Sequence, residues 1–187
     1  DSKVVGITGI SITGADAINY SLVSATSNTT ANITPKALTI SGITAANKVY
    51  DGTATATVST AGVTDAVLQA GGMVAGDHIT VASTGSFRNA GNTANDKNAG
   101  IGKTVALTNT IAGTDIGNYT ITDQASTVAD ITPKALTITG MTAANKVYDG
   151  NTNATVSTLG LARTGLVTGD DVTVSALGTF ADKNVAN

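Results

Sequence analysis

The sequence predicts an all-β protein built from tandem immunoglobulin-like β-sandwich domains, and three observations predict it. The stretch ITPKALTISGITAANKVYDG at residues 33–52 returns as ITPKALTITGMTAANKVYDG at residues 131–150, an offset of 98 with two substitutions, Ser41/Thr139 and Ile43/Met141. Such an offset is the length of a domain, so whole domains are repeated in tandem. The composition is rich in Thr, Val and Ile, which suit a pleated, half-buried surface, and in Gly, Asn and Asp, which suit turns. All 13 acidic residues are Asp, and Glu, a strong helix former, does not occur. Finally, apolar residues alternate with Thr in short runs, the period of strands with one buried face. A β-grasp-like module is the alternative fold.

Taken in order, residues 1–32 read as the C-terminal part of a preceding repeat. Lys3–Thr8 parallels Lys103–Thr108, and Asp16-Ala17-Ile18-Asn19-Tyr20 parallels Asp115-Ile116-Gly117-Asn118-Tyr119. Residues 33–130 form one complete repeat. In it Leu38 and Ile40 face one way, and Ala54, Ala56 and Val58 alternate with Thr and Ser. The same holds for Ile79 and Val81, Val105 and Leu107, and Tyr119 and Ile121, with a last strand near Ser126–Ile131. This is the pattern of antiparallel sheets packed as a sandwich. Asp65–Ala70 is the one candidate helical turn, which Gly71-Gly72 would end. Residues 131–187 form the N-terminal part of a following repeat, reaching Asp182-Lys183-Asn184, the match of Asp96-Lys97-Asn98.

The copies differ by insertions. Tyr50 to Gly76 spans 26 positions against 21 from Tyr148 to Gly169, and Phe87 to Asp96 spans 9 against 2 from Phe180 to Asp182. Insertions settle where neither ladder nor core is disturbed, so Asp65–Val74 and Arg88–Asn95 are expected to be exposed loops.

Composition also excludes function classes. The charged fraction is 12% and the net charge −3 with no basic patch, which argues against nucleic acid as a partner. There is no Cys, hence no disulfide and no thiolate metal site. No run approaches the ~18 apolar residues of a membrane span, so membrane insertion is not expected. With a single His, no Glu and no phosphate-binding glycine loop, an enzyme is not expected.

The motifs read as structural. In Tyr50-Asp51-Gly52 and Tyr148-Asp149-Gly150 a packing Tyr precedes a turn, with Asp capping it and Gly supplying positive φ. Asp115-x-Gly117-x-Tyr119, repeated at Asp16 and Tyr20, resembles the tyrosine corner of immunoglobulin-like sandwiches. No catalytic or cofactor-binding residue is assigned, and no metal site. Asp77, Asp96, Asp170, Asp171 and Asp182 are loop oxygens that could serve calcium, but they lack the DxDxDG spacing and read better as solvated turn residues. A Lys–Asn isopeptide staple, with Lys48, Lys97 and Asn98 or Lys146, Lys183 and Asn184, would need a buried carboxyl beside it and is disfavoured. Asn19, Asn28, Asn32, Asn118 and Asn153 stand in glycan-acceptor triplets, a signal that chance readily produces in such a chain.

The ANKVYDGT stretch, the Gly-Asp segment before an alternating strand, the DKN element, the GNYT segment and the ITPKALT junction together resemble the YDG domain. This family occurs in tandem in large bacterial surface and secreted proteins, including filamentous-haemagglutinin-like adhesins. The resemblance covers essentially the whole chain and implies a structural or adhesive role at the bacterial cell surface, with no catalytic residues to transfer. The expected function is an extracellular repeat of a fibre, stalk or adhesin that stacks end to end. The alternative is an adhesin module that binds a host or matrix glycan or protein through residues 65–74 and 88–95.

Joining Asn187 to Asp1 reproduces the Asn98–Lys103 passage with one extra residue. The expectation is one two-domain period, either cut from a continuous polymer or completed head-to-tail by copies of itself. On the second account Asn187 lies near Asp1 of a neighbouring copy. Val5 and Ile7 then pack against its Leu136 and Ile138, or its Val172 and Val174.

Overall fold

The computed structural model describes residues 2–185, so the expectation on Asp1 and Asn187 lies outside the described residues. About 40% of the chain is strand and 7% helix, which makes the protein nearly all β. Residues ahead of the complete repeat form β1 (Ser2–Thr8) and β2 (Thr26–Asn32). The complete repeat then gives β3 (Lys36–Thr39), followed by four short strands, β4 (Thr44–Ala45), β5 (Lys48–Val49), β6 (Thr55–Ala56) and β7 (Val58–Ser59). The helix α1 (Asp65–Ala70) precedes the long strands β8 (Thr80–Phe87) and β9 (Gly100–Ala112). After them come β10 (Tyr119–Thr122) and β11 (Ser126–Thr132). The C-terminal part supplies β12 (Thr137–Thr139), β13 (Thr142–Ala143), β14 (Asn153–Ala154), β15 (Val156–Ser157), β16 (Ala162–Thr164) and β17 (Gly178–Thr179).

The chain divides into two compact units. The first is drawn from residues up to Ser41, Val63–Val81 and Ile111–Asp123, the second from Gly42–Gly62, Ala82–Thr110 and the residues from Gln124 onward.

In the first unit β1 and β2 make an antiparallel hairpin, with Lys3 opposite Ala31 and Val5 opposite Thr29, and every residue of it is exposed. β3 and β10 pair in parallel, Tyr119 opposite Lys36 and Ile121 opposite Leu38. Leu38, Ile40, Leu68, Met73, Ile79 and Tyr119 are buried. The helix starts where the Thr64 hydroxyl accepts the Val67 N–H at 3.4 Å, with Asp65 placed favourably in its first turn. It ends at Gly71-Gly72, as expected. Gly72 has φ +122°, and a Cβ there would stand 2.3 Å from the Ala37 carbonyl oxygen, so only glycine fits. The expected exposure over Asp65–Val74 holds for Asp65, Ala66, Gln69, Ala70 and Val74, while Leu68 and Met73 are buried and anchor the segment.

The second unit holds most of the five-stranded sheet, ordered β5-β11-β9-β8-β6. Its core is Ala56, Phe87, Val105, Ala129 and Ile131, with Ala45, Tyr50, Val58 and Leu107 packed against it. Full burial of a side chain of the Phe, Ile or Val size contributes about 1.5–3 kcal/mol, so Phe87, Val105 and Ile131 each stabilise the unit substantially. The alternation of Val105 and Leu107, and of Ala129 and Ile131, is what turns these residues inward.

Two pairings depart from the antiparallel expectation. β10 runs parallel to β3, and β11 runs parallel to β5. Both join strands from opposite ends of the repeat, and parallel neighbours need long connections rather than hairpins. The pattern of alternation fixes which face is buried but carries no strand direction. Arg88–Asn95 is a self-bonded, largely exposed loop. Arg88 bridges Asn95, and the Asn89 side-chain oxygen accepts the Thr93 N–H at 2.9 Å.

The following repeat, five residues shorter in this region, has no helix there. Ala162–Thr164 instead pairs antiparallel with Thr137–Thr139. Gly165, with φ +102°, approaches the Ala135 carbonyl as Gly72 approaches Ala37, again 2.3 Å from an added Cβ.

Candidate functional site

The repeated Tyr-Asp-Gly turn is held by a lysine two positions ahead of its Tyr. Lys48 Nζ donates to Asp51 Oδ1 at 2.7 Å, to the Thr53 carbonyl and hydroxyl at 2.9 Å, and to the Thr55 carbonyl at 3.1 Å. Asp51 Oδ1 also accepts the Thr53 N–H at 2.9 Å, while Gly52 takes φ +82° to close the turn. The Lys48 ammonium holds the Asp51 carboxyl down at about 2, helped by the Thr53 N–H. Nζ stands 5.7 Å above the buried Phe87 ring, within cation–π range. The second copy repeats this. Lys146 bonds Asp149 at 2.8 Å and the Asn151 carbonyl at 2.7 Å, stands 5.5 Å above Phe180, and holds the Asp149 carboxyl below the usual range. Gly150 has φ +80°. Asp51, Gly52, Asp149 and Gly150 are thus turn residues. Their lysines escaped the motif reading, although their fixed three-residue lead on the Asp was a legible signal.

Tyr50 has a different role. Its ring packs against the core of the second unit, and its hydroxyl donates to Asp170 Oδ1 at 2.9 Å. Lys97 donates to the same oxygen at 3.0 Å and stands 5.9 Å from the Tyr50 ring. The Tyr50 hydroxyl and, second to it, Lys97 hold Asp170 below the usual carboxylate range, and Asp170 with Tyr50 pushes Lys97 up. Lys97 is half exposed, so solvent screens its ion pair; the more sheltered Tyr50 bond matters more. These three residues come from the YDG motif and DKN element of one repeat and the Gly-Asp segment of the next. Tyr50 and Asp170 line a cavity of about 280 Å³ together with Pro133, Lys134, Leu136 and Val167. Tyr148, in contrast, is exposed.

Tyr119 holds the corresponding Gly-Asp segment of its own repeat. Its hydroxyl accepts the Val74 N–H at 2.8 Å and donates to Asp77 at 2.5 Å. Burial, then the hydrogen bond to Asp77, raises the hydroxyl's pKa. Asp115 accepts the His78 N–H at 3.0 Å and the Thr114 hydroxyl at 2.9 Å, and the His78 N–H lowers its carboxyl pKa. This tyrosine bonds backbone 45 residues upstream, whereas a tyrosine corner reaches a few residues back. Tyr20 follows the same one-turn 3-10 segment, with Asp16 at φ −99° against −103° at Asp115, but its side chain is exposed.

The loop aspartates are scattered. Asp96 pairs with Lys103 at 2.6 Å and accepts the Asn98 N–H at 2.9 Å; Lys103, then that N–H, lowers its pKa. Asp182 accepts the Asn184 N–H at 2.7 Å in the same turn. Asp77 and Asp170 bond tyrosines, and Asp171 follows Asp170 in its loop. Among the described residues no three acidic or His side chains converge as a metal site, and no helix is long and apolar enough to cross a membrane.

Fold and site together define a tandem β-repeat chain whose marked residues lock turns and join one repeat to the next. The YDG domain model matches residues 34–127 and again residues 132–187, and the chain belongs to the YDG domain family. Neither the search of curated proteins nor that of solved structures gives a match.

Proposed function

We propose that the chain is a structural repeat of an extracellular bacterial fibre, stalk or adhesin, whose immunoglobulin-like YDG domains stack end to end into a rod. The observation that carries this reading is the Tyr50–Asp170–Lys97 contact, in which one repeat grips the next directly. Only residues 133–136 separate β11 from β12, too few for a flexible linker. The role is non-enzymatic and needs no cofactor; calcium, if bound, would be an accessory to the loop aspartates. Recognition of a glycan or protein would fall to residues 65–74 and 88–95, the first anchored by the buried Leu68 and Met73 while Asp65, Ala66, Gln69, Ala70 and Val74 stay exposed.

Electron microscopy of covalent arrays with increasing repeat number tests the rod. Each added repeat is expected to lengthen the particle by a constant amount of roughly 25–40 Å, the reach of seven- to ten-residue strands. End-to-end distances growing only as the square root of repeat number would instead describe flexibly joined beads.

A further inference from the structure

We propose that Asp149-Gly150 is a site of spontaneous isoaspartate formation in this chain, and that the Thr53 hydroxyl protects the otherwise equivalent Asp51-Gly52 turn from the same rearrangement. The inference concerns the chemistry of the two turns and does not depend on the end-to-end reading.

The chain contains two Asp-Gly dipeptides and no Asn-Gly. Asp-Gly is open to this rearrangement because glycine has no side chain to shield its nitrogen from the aspartyl carboxyl. The Gly150 nitrogen attacks Cγ of Asp149 in its protonated form. The amide proton and the carboxyl hydroxyl leave as water, and a five-membered imide closes. Water then adds at the main-chain carbonyl of Asp149, the bond from that carbon to the Gly150 nitrogen breaks, and the chain runs on through Cγ. Nothing is oxidised or reduced and the mass is unchanged, but the backbone has gained one methylene.

The turns differ in how firmly the carboxylate is held as an anion. Their aspartate side chains are similarly open to solvent, 53% exposed at Asp51 and 48% at Asp149. Each accepts a lysine, Lys48 at 2.7 Å and Lys146 at 2.8 Å. At Asp51 the same oxygen also takes the Thr53 N–H and the Thr53 hydroxyl, both at 2.9 Å. Asp149 has the Asn151 N–H at a longer 3.1 Å. The Asn151 side-chain oxygen faces donors of its own, Lys146 Nζ at 3.0 Å and the Asn153 N–H at 2.9 Å. Ring closure consumes the anion that these donors bond, so every donor opposes it. Acidity carries the same contrast. Lys48, the Thr53 N–H and then the Thr53 hydroxyl hold Asp51 at about 2, whereas at Asp149 the Asn151 side chain is the smallest influence, behind Lys146 and the Asn151 N–H. Protection also falls where an extra methylene has no room. A Cβ on Gly52 would stand 2.8 Å from Val167 Cγ1, two residues after the Tyr50 that bonds Asp170.

Prolonged incubation of the folded full chain at neutral pH, followed by digestion and mass spectrometry that separates isoaspartyl from aspartyl peptides, reads both sites. Isoaspartate is expected to accumulate at Asp149 about threefold to tenfold faster than at Asp51, the range for one exposed hydrogen bond. In the guanidinium-unfolded chain the two rates should converge, because the donors are gone. Exchanging the donors should exchange the rates. Thr53→Asn raises the rate at Asp51 and Asn151→Thr lowers it at Asp149, each new residue being the one that the other turn already accommodates. Circular dichroism checks that both variants stay folded. Absence of isoaspartate at Asp149, equal rates in the folded chain, a difference that survives unfolding, or exchanges that leave both rates in place overturn the proposal.

Discussion

Replacing Phe87 with alanine is expected to cost about 3–5 kcal/mol, the usual penalty for emptying a fully buried aromatic site. Phe87 has no solvent exposure and shares the core with Val105, Ala129 and Ile131. Its backbone also ties the sheet together, the N–H donating to the Ala54 carbonyl at 2.7 Å and the carbonyl accepting the Asp96 N–H at 2.9 Å. The lost ring would take the cation–π partner of Lys48 with it. Against a total stability of about 5–15 kcal/mol for a domain, this is a large fraction. Phe180 provides an internal control, because it has the same lysine above its ring but is partly exposed. Phe180→Ala should cost less than about 2 kcal/mol. Urea denaturation of the two variants measures both, and equal losses would place the core elsewhere.

Gln124→Ala is expected to cost about 2–3 kcal/mol, although the residue belongs to no motif. Its side-chain amide acts as a strand partner for Ile43, accepting the Ile43 N–H at 3.0 Å and donating to the Ile43 carbonyl at 2.7 Å. Ile43 is buried, so its two backbone groups have no ready access to water once the amide is gone. Gln124→Glu keeps the acceptor but loses the donor, and should recover only part of the loss. Hydrogen exchange at the Ile43 amide should quicken in the alanine variant. Unchanged exchange there would show that the amide does not pair this strand end.

Much of this architecture is legible in the residues. Alternation places Leu38, Val105, Ile131 and Tyr119 on buried faces, and the Asp65–Ala70 turn is helical where the sequence allows one. Direction is not encoded in alternation, which is why the parallel β3–β10 and β5–β11 pairs are invisible from the sequence. Length differences between the copies mark insertions, yet Leu68 and Met73 show that an inserted segment with apolar anchors becomes part of the core. At the junction, Tyr50 alternates correctly for packing, but its hydroxyl partner lies 120 residues away, beyond any local pattern. Asp170 looks like a solvated turn residue because only the adjoining repeat gives it partners.

The most direct test of that junction follows the Asp170 carboxyl carbon by NMR through an acid titration. A carboxylate whose folded pKa is depressed contributes stability above its ordinary value near 4, lost as pH falls through the folded one. Asp170 is expected to titrate below the ordinary carboxylate range in the unaltered chain. Its midpoint should rise in Tyr50→Phe, and rise further when Lys97→Met is added, because the Tyr50 hydroxyl is the larger influence and Lys97 the second. An ordinary midpoint in the unaltered chain, or one that Tyr50→Phe leaves in place, would contradict a direct grip of one repeat on the next.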